Sequence, residues 1–267
     1  MSRYSDVFTR LRANGETGFI PFAVAGDPDI ATSEKILRAY VDGGADILEI
    51  GYPFSDPIAD GPVNQRAAQR AIASGLDHAA FFSLIKRIRA VTDIPFGLLC
   101  YANTVLHYGY DRFCRDAASA GLDSLLVADM PPEESSGLRK AMHQYGLGQV
   151  FIVSELTPPG RMRFICSQVD SFVYVVSRLG ATGVGTSMSA TVGVTLKKLK
   201  KVTDKPLAVG FGISTPAHVR EMRKAGADAA IMGSALVAII EEHSGNPEKL
   251  LPLLERKVAV CKAATRL

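Results

Sequence analysis

Short apolar segments alternate with longer amphipathic segments along the whole chain. The apolar segments have the length of β-strands, and the amphipathic ones carry apolar residues at helical spacing. Several helical segments end in glycine and lead into an aspartate that opens the next strand. Glycine is a common helix stop because it adopts the left-handed conformation without strain. The eight predicted strands are GFIPFAVA, ADILEIG, PFGLLCYA, DSLLVAD, GQVFIVSE, DSFVYVVSR, KPLAVGFGI and DAAIMGS.

The order of these elements predicts the fold class. Strands that are apolar throughout and joined by helices form a parallel sheet covered by those helices. Eight such units in 267 residues favour a closed (β/α)8 TIM barrel over a doubly wound open sheet, and no GxGxxG motif follows the first strand. We predict an α/β protein with a single TIM-barrel domain over residues 1–267. YSDVFTRLRANG would form an extra N-terminal helix, and NPEKLLPLLERKVAVCKAATR would form the last one.

Composition and charge narrow the class of protein. Apolar residues make up 47% of the chain, which is enough for a large core, and the net charge is +3. A mild positive charge suits an anionic small molecule and gives no sign of a nucleic-acid partner. The four cysteines are scattered, which is typical of buried thiols in a reducing compartment, and no apolar run is long enough to span a bilayer. These features predict a cytoplasmic protein that does not bind a membrane.

One carboxylate stands near the end of an apolar strand, in the segment LEIGYPFSDPIADGP (48–62). Side chains alternate along a strand, so Leu48 and Ile50 would face the helix layer and Glu49 the barrel interior. The active sites of TIM barrels lie where the strands end and the loops begin. A structural ion pair is the alternative, but no strand offers an obvious cation. Apolar surroundings would raise the pKa of Glu49 and let it give and take a proton near neutral pH.

Two aspartates follow in the loop after this strand. Asp56 precedes proline and Asp60 precedes glycine, and each alone is typical of a turn. Asp60 is also a candidate for the site, because a long loop after the Glu49 strand can fold back over the barrel mouth.

Glycine-rich segments end the last two predicted strands. They are VGFGIS (209–214) and IMGSA (231–235), at the positions where TIM barrels bind phosphate with backbone N–H groups and a helix N-terminus. Either segment alone indicates only a tight turn, but together they predict a phosphate site. The loop LGATGVGTSMSATVG after the sixth strand has the composition of a lid with glycine hinges, or of a flexible surface loop.

Residue types that are absent from the strand ends disfavour several reaction classes. No lysine lies at the C-terminal end of a predicted strand, which disfavours a Schiff-base aldolase. No two histidines have ligand spacing, so we predict no metal site and disfavour a metal-dependent aldolase. The carboxylates must then act alone, and the substrate itself needs an electron sink or an acidic proton.

Five segments match one known family in order and spacing: FIPFAVAGDP (19–28), LEIGYPFSDPIADGP (48–62), SRLGATG (177–183), VGFGIS (209–214) and GSALV (233–237). Together they resemble the signatures of the tryptophan synthase α chain, over essentially the whole sequence. The resemblance implies a lyase of tryptophan biosynthesis that cleaves indole-3-glycerol phosphate to indole and glyceraldehyde 3-phosphate by retro-aldol chemistry. It implies no cofactor on this chain, because protonated indole would be the electron sink.

The resemblance also implies roles for individual residues. Glu49 would protonate the indole carbon that bears the side chain and take the proton from the adjacent hydroxyl group, while Asp60 would hold the ring N–H. Thr182 corresponds to a lid residue that meets the aspartate on closure. SELTPPG (154–160) departs from the family pattern and places Glu155 near the mouth. The phosphate ligands correspond to Gly183, Gly212, Gly233 and Ser234, and the indole pocket to Phe22, Leu99, Leu126 and Tyr174.

A partner is implied as well. In this family a β chain that carries pyridoxal phosphate receives indole through a tunnel, in an αββα assembly. Pro53 and Asp56 correspond to the loop that signals to the β chain, and residues 103–108 and 131–132 to the docking surface.

Two other functions are compatible with parts of the pattern. One is a catalytically silent phosphate-binding barrel that only activates another subunit, although the Glu49 and Asp60 pair speaks against it. The other is a different sugar-phosphate barrel enzyme, such as an isomerase or indole-glycerol-phosphate synthase. The synthase is disfavoured because its chemistry needs a cationic acid and no lysine ends a strand.

Overall fold

Strands and helices alternate along the chain in the order that the hydrophobic pattern predicts. The computed structural model describes residues 2–176, 188–210 and 212–266. The strands are β1 Gly18–Val24, β2 Leu48–Gly51, β3 Phe96–Cys100, β4 Ser124–Val127, β5 Gly148–Gln149, β6 Phe151–Ser154, β7 Val173–Val176, β8 Leu207–Gly210 and β9 Ala229–Met232. The helices are α1 Arg3–Ala13, α2 Ile30–Asp42, α3 Pro62–Ala73, α4 His78–Arg89, α5 Ala102–Tyr108, α6 Tyr110–Ala120, α7 Ser136–Gln144, α8 Pro159–Ser167, α9 Met188–Leu199, α10 Pro216–Ala225, α11 Ser234–His243 and α12 Pro247–Ala263.

The strands form one parallel sheet that closes on itself. Their order is β5-β4-β3-β2-β1-β9-β8-β7-β6. The two ends of this order, β5 and β6, are separated along the chain by Val150 alone. The sheet is therefore a closed barrel surrounded by helices, and the predicted TIM barrel is confirmed.

The structure has nine strands where the sequence predicts eight, because the predicted strand GQVFIVSE is divided at Val150. Its first part, β5, pairs with β4, and its second part, β6, pairs with β7. Neighbouring strands in a barrel are staggered, so the strands on either side pair with different parts of this one. The structure therefore has one strand more than the sequence predicts.

Strand β2 shows the two layers that the alternation predicts. Leu48 and Ile50 are buried in the large core between the sheet and the helices. Ile47, just before the strand, packs in the interior cluster of the barrel with Ile20 and Leu126. Glu49 lies on the interior face of the same strand as a consequence.

Helix α1 covers the N-terminal end of the barrel, which confirms the predicted N-terminal helix. Tyr4, Phe8 and Leu11 are buried in the same interior cluster. The Tyr4 hydroxyl group lies 2.8 Å from the Ser124 hydroxyl group at the start of β4. With this end of the barrel filled, the opposite end is where a substrate can enter.

Helices α3 and α11 are joined by an arginine that lies between two carboxylates. Arg70 of α3 donates to both carboxylate oxygens of buried Asp27, at 2.7 and 3.0 Å, and to Glu241 of α11 at 2.8 Å. Arg66 also donates to Glu241. The helix that follows the Asp60 loop is thereby held against the helix that begins at Ser234.

The four cysteines are buried and unpaired, as predicted. No helix in the part of the chain that the structure describes is long and apolar enough to cross a membrane.

Candidate active site

A cavity of about 580 Å³ opens at the C-terminal ends of the strands. It brings together most of the residues that the sequence singles out, although they come from five strands, two loops and the start of α11. Thr182 and Gly183 lie outside the described residues, as does the rest of the predicted lid up to residue 187. The predicted residues that line the cavity are Phe22, Glu49, Asp60, Leu99, Leu126, Tyr174, Gly212, Gly233 and Ser234.

Glu49 is the buried acid of this cavity. Its residue surface is 6% exposed. Burial raises the pKa of its carboxyl group to about 8, and the nearby charge of Asp60 adds to the increase. Desolvation and a like charge both favour the neutral form of a carboxylic acid. Glu49 is therefore mostly protonated at neutral pH and close enough to its pKa to exchange a proton.

Tyr174 of β7 faces the same space. Its pKa is raised by burial and by the charges of Glu49 and Asp60. Electrostatic interactions weaken with distance, so a phenol whose pKa is raised by both carboxylates lies near both of them. The three side chains therefore share one compartment of the cavity.

Asp60 is held by two side chains that the sequence analysis did not identify. The Tyr101 hydroxyl group donates to Asp60 Oδ2 at 2.8 Å, and Asn64 Nδ2 donates to Asp60 Oδ1 at 3.3 Å. Both residues also line the cavity. Tyr101 follows directly after β3, so its place at a strand end was a signal that could have identified it.

Tyr101 also anchors the loop that carries Asp60. Its hydroxyl oxygen accepts a hydrogen bond from the Ala59 N–H group at 3.1 Å. The Phe54 ring stacks on the Tyr101 ring, with centroids 5.2 Å apart. The loop is thereby attached to the barrel rim beside the cavity.

The apolar part of the cavity is shaped by two glycines. A Cβ atom on Gly51 would lie 2.8 Å from the Phe22 ring, and one on Gly210 would lie 2.4 Å from the Tyr174 hydroxyl oxygen. Only residues without a side chain let these two rings lie across the strands. Phe22 pairs in register with Glu49, so an apolar ring lies next to the acid.

The polar end of the cavity lies at the ends of β8 and β9. Helix α11 begins at Ser234 directly after Gly233, and Gly212 has a positive φ of 74° in the loop after β8. A helix N-terminus presents free N–H groups and a partial positive charge, which suits a phosphate group. This end can hold an anion while an aromatic ring occupies the apolar part.

Three other predicted residues do not line the cavity. Pro53 is buried and Asp56 is exposed, both on the loop between β2 and α3. Glu155 follows β6 and is half-buried. Among residues 2–176, 188–210 and 212–266, no group of three or more His, Cys, Asp or Glu side chains is placed to hold a metal ion.

Known proteins resemble the chain over its full length. The sequence model of one family, described as tryptophan synthase alpha chain, matches residues 8–266. A tryptophan synthase alpha chain from Methanoregula boonei is 44% identical over 99% of this chain and 98% of the relative. The crystal structure of tryptophan synthase subunit alpha from Legionella pneumophila has a TM-score of 0.90 and 30% identity, covering 99% of this chain and 98% of that one. A structure of Mycobacterium tuberculosis tryptophan synthase has a TM-score of 0.88 and 32% identity, covering 100% and 99%.

Proposed function

The chain belongs to the tryptophan synthase alpha chain family, and from that premise we propose how its site works. It is a carbon–carbon lyase of tryptophan biosynthesis that cleaves indole-3-glycerol phosphate to indole and glyceraldehyde 3-phosphate. We propose that Glu49 and Asp60 are its catalytic pair. The observation that carries this proposal is a buried carboxyl group with a pKa of about 8 in the same cavity as a second carboxylate.

The proposed reaction begins with a proton transfer to the indole ring. Protonated Glu49 gives its proton to the ring carbon that bears the glycerol phosphate chain, and the ring nitrogen becomes cationic. The carboxylate of Asp60 accepts the ring N–H and stabilises that charge. Glu49 then removes the proton of the hydroxyl group next to the ring, the carbon–carbon bond breaks, and its electron pair restores neutral indole. One proton enters and one returns to Glu49, so the acid is regenerated.

The rest of the cavity is proposed to hold the substrate in place. The indole ring occupies the apolar part, against Phe22, Leu99, Leu126 and Tyr174. The phosphate group binds the N–H groups at Gly212, Gly233 and Ser234, with Gly183 and the lid residue Thr182 as further candidates. Because the protonated ring accepts the electrons of the broken bond, the proposal needs no cofactor on this chain.

The first test replaces Asp60 with its neutral isostere. Asp60→Asn should lower indole release by about 100-fold or more, because the ring charge loses its counter-ion. Binding of glycerol phosphate should stay within threefold, since the phosphate end is untouched. Asp56→Asn, in the same loop but outside the cavity, is the matched control and should retain its activity when assayed alone. Loss of glycerol phosphate binding with normal turnover would contradict the assigned role.

We also propose a β-chain partner that carries pyridoxal phosphate, in an αββα tetramer. Large apolar side chains are exposed around the barrel mouth: Ile58 at 81%, Leu106 at 61% and Leu156 at 64%. They follow β2, β3 and β6, so they share the end at which the cavity opens. The loop with Pro53 and Asp56 and the segments 103–108 and 131–132 belong to this rim. A cytoplasmic location is proposed from the four free thiols.

Indole release with and without a β chain tests the partner. Ile58→Ser and Leu106→Ser should weaken binding of the β chain and leave the basal rate of the isolated chain unchanged. Val260→Ser, at an apolar position that is 47% exposed on α12 away from the mouth, is the control. Equal β-chain binding by the rim variants and the control would overturn the proposed docking face.

A further inference from the structure

Asn64 has an unusual position in the active-site cavity. It lies in the first turn of α3, four residues after Asp60, and its side chain lines the cavity. Its carbonyl oxygen Oδ1 is buried and has no hydrogen-bond partner among the residues that the structure describes. The other buried side-chain atoms without a partner in the described part of the chain belong to Arg139 and Gln149, which do not line the cavity.

The orientation of the Asn64 amide follows from its neighbour. Nδ2 lies 3.3 Å from Asp60 Oδ1. A carboxylate only accepts hydrogen bonds, so an amide turned the other way would set two acceptors against each other. Oδ1 must therefore point away from Asp60, and no donor from residues 2–176, 188–210 or 212–266 reaches it.

An unmet acceptor destabilises a folded protein unless something supplies a donor. The cavity around Asn64 is largely apolar, with Phe22, Leu99 and Ile152 among its lining. An apolar side chain of the same size would fit these surroundings with no unmet group. The chain instead places an amide beside the carboxylate proposed to bind the ring nitrogen.

We propose that Asn64 is a substrate-positioning residue that holds Asp60 through Nδ2 and offers Oδ1 to a hydrogen-bond donor of the bound substrate. Tyr101 holds the other oxygen of Asp60, so the two residues fix the carboxylate from both sides. The ring N–H of indole-3-glycerol phosphate is already assigned to Asp60, so the donor that remains for Oδ1 is a hydroxyl group of the glycerol chain. The inference rests on the proposed role of Asp60 and adds a residue to it.

The test compares activity with stability, because the two should change in opposite directions. Asn64→Leu removes the unmet acceptor and the contact to Asp60. We expect its midpoint of thermal unfolding to be equal to or higher than that of the wild type, and kcat for indole release to fall about tenfold or more. A residue kept only for structure would lose stability on removal. A lower midpoint with unchanged kcat would overturn the inference.

Gln65 is the matched control. It is the next residue in the same turn and donates to the backbone carbonyl of Asp60 at 2.9 Å, but it does not line the cavity. Gln65→Leu should lower the unfolding midpoint, since a satisfied hydrogen bond is lost. If Gln65→Leu and Asn64→Leu changed stability in the same direction and kcat equally, Asn64 would have no special role.

A second variant keeps the test independent of packing. Asn64→Asp places a second carboxylate beside Asp60, and like charges raise the pKa of one of the pair. The acid limb of kcat/KM should move up by about one pH unit in this variant, and an unchanged profile would contradict the proximity of the two groups during turnover.

The donor on the substrate is identified with 3-indolylpropyl phosphate, which keeps the ring N–H and lacks the hydroxyl groups. If Asn64→Leu weakens the binding of this compound as much as that of indole-3-glycerol phosphate, Asn64 acts through Asp60 alone and the contact of Oδ1 with the substrate is refuted. If that affinity is unchanged while KM for indole-3-glycerol phosphate rises about tenfold, Oδ1 accepts a hydroxyl group. No change in either would overturn the contact to the substrate. An Asp60→Asn protein assayed alongside separates a failure of the Asn64 contact from a failure of the proposed function. Full activity of Asp60→Asn would refute the catalytic role of Asp60 itself.

Discussion

Asp46 and Glu49 lie three residues apart, both are almost completely buried, and their surroundings are opposite. Asp46 is 2% exposed and Glu49 is 6% exposed. Asp46, before β2, accepts hydrogen bonds from the Phe19 N–H group and from Arg10, each at 2.9 Å, and lies 2.8 Å from Lys262 Nζ. Glu49, in β2, has burial and a like charge as the causes of its raised pKa.

The short segment from Asp46 to Glu49 therefore serves two purposes. At the N-terminal end of the barrel the buried carboxylate of Asp46 has an opposite charge, the ammonium group of Lys262, beside it. At the C-terminal end no cation among the described residues offsets the burial of Glu49, and the pKa of its carboxyl group is raised to about 8. The paired carboxylate of Asp46 stabilises the fold, and the unpaired carboxyl group of Glu49 is suited to proton transfer.

Lys262 is the centre of the compensated region. Its side chain is 8% exposed, and its ammonium group contacts Glu16 at 3.1 Å as well as Asp46. Glu16 follows α1 and Lys262 lies near the end of α12. This cluster therefore joins both ends of the chain to the base of β2.

The largest expected effect is on activity and comes from Glu49, at the C-terminal end of the barrel. Glu49→Gln removes the exchangeable proton and preserves the shape of the side chain. We expect indole release to fall by about 10² to 10⁴-fold, the range for loss of a general acid–base group. Release of indole at the wild-type rate would instead favour a silent phosphate-binding barrel.

The next largest effect is on the free energy of unfolding and comes from the Lys262 cluster at the N-terminal end of the barrel. Lys262→Met leaves Asp46 and Glu16 without their shared cation, and removal of one partner of a buried ion pair lowers the free energy of unfolding by about 3–5 kcal/mol. Urea unfolding measures this, and kcat of the folded protein should be unchanged. Asp46→Asn in the same background should recover part of the loss. A drop in kcat as large as that of Glu49→Gln would erase the distinction between the two regions.

The third effect is a pH dependence, and it is smaller when counted for each pH unit. The pKa of Glu49 is raised from 4.5 to about 8 in the folded chain, so the folded state holds this proton more tightly than the unfolded state does. The stability associated with it is fully present below about pH 4.5 and is lost as pH rises towards 8, by about 1.4 kcal/mol per pH unit. Relative to Glu49→Gln, the wild-type free energy of unfolding should fall across that window and level off above it. Parallel curves for the two proteins would mean that Glu49 is ionised throughout.

The smallest effect is expected at the edge of the compensated cluster. Arg10 contacts Asp46, but its side chain is 50% exposed. Arg10→Gln should lower the free energy of unfolding by less than about 1 kcal/mol, because solvent screens a half-exposed pair and Lys262 stays in place. A loss equal to that of Lys262→Met would show that the arginine carries the compensation.

Parts of the site were predictable from local pattern. The alternation of apolar residues in β2 assigns Glu49 to the interior face, and glycines before a helix mark Gly233 and Ser234 as an anion site. The contacts of Asp60 with Tyr101 and Asn64 were not predictable. They depend on where a loop after β2 lands relative to β3 and on the turn in which α3 begins, and neither follows from periodicity.

The sequence by itself determined the barrel, its order of strands and helices, and the face on which each strand residue lies, because hydrophobic period and helix stops are local properties. The tertiary structure alone decided which of the two buried carboxyl groups, Asp46 or Glu49, is paired with a cation. Lys262, at the far end of the chain, reaches Asp46 and not Glu49, because closure of the barrel brings α12 to the base of β2. The division of the predicted fifth strand at Val150 has the same origin, since the stagger between strands is a property of the closed sheet.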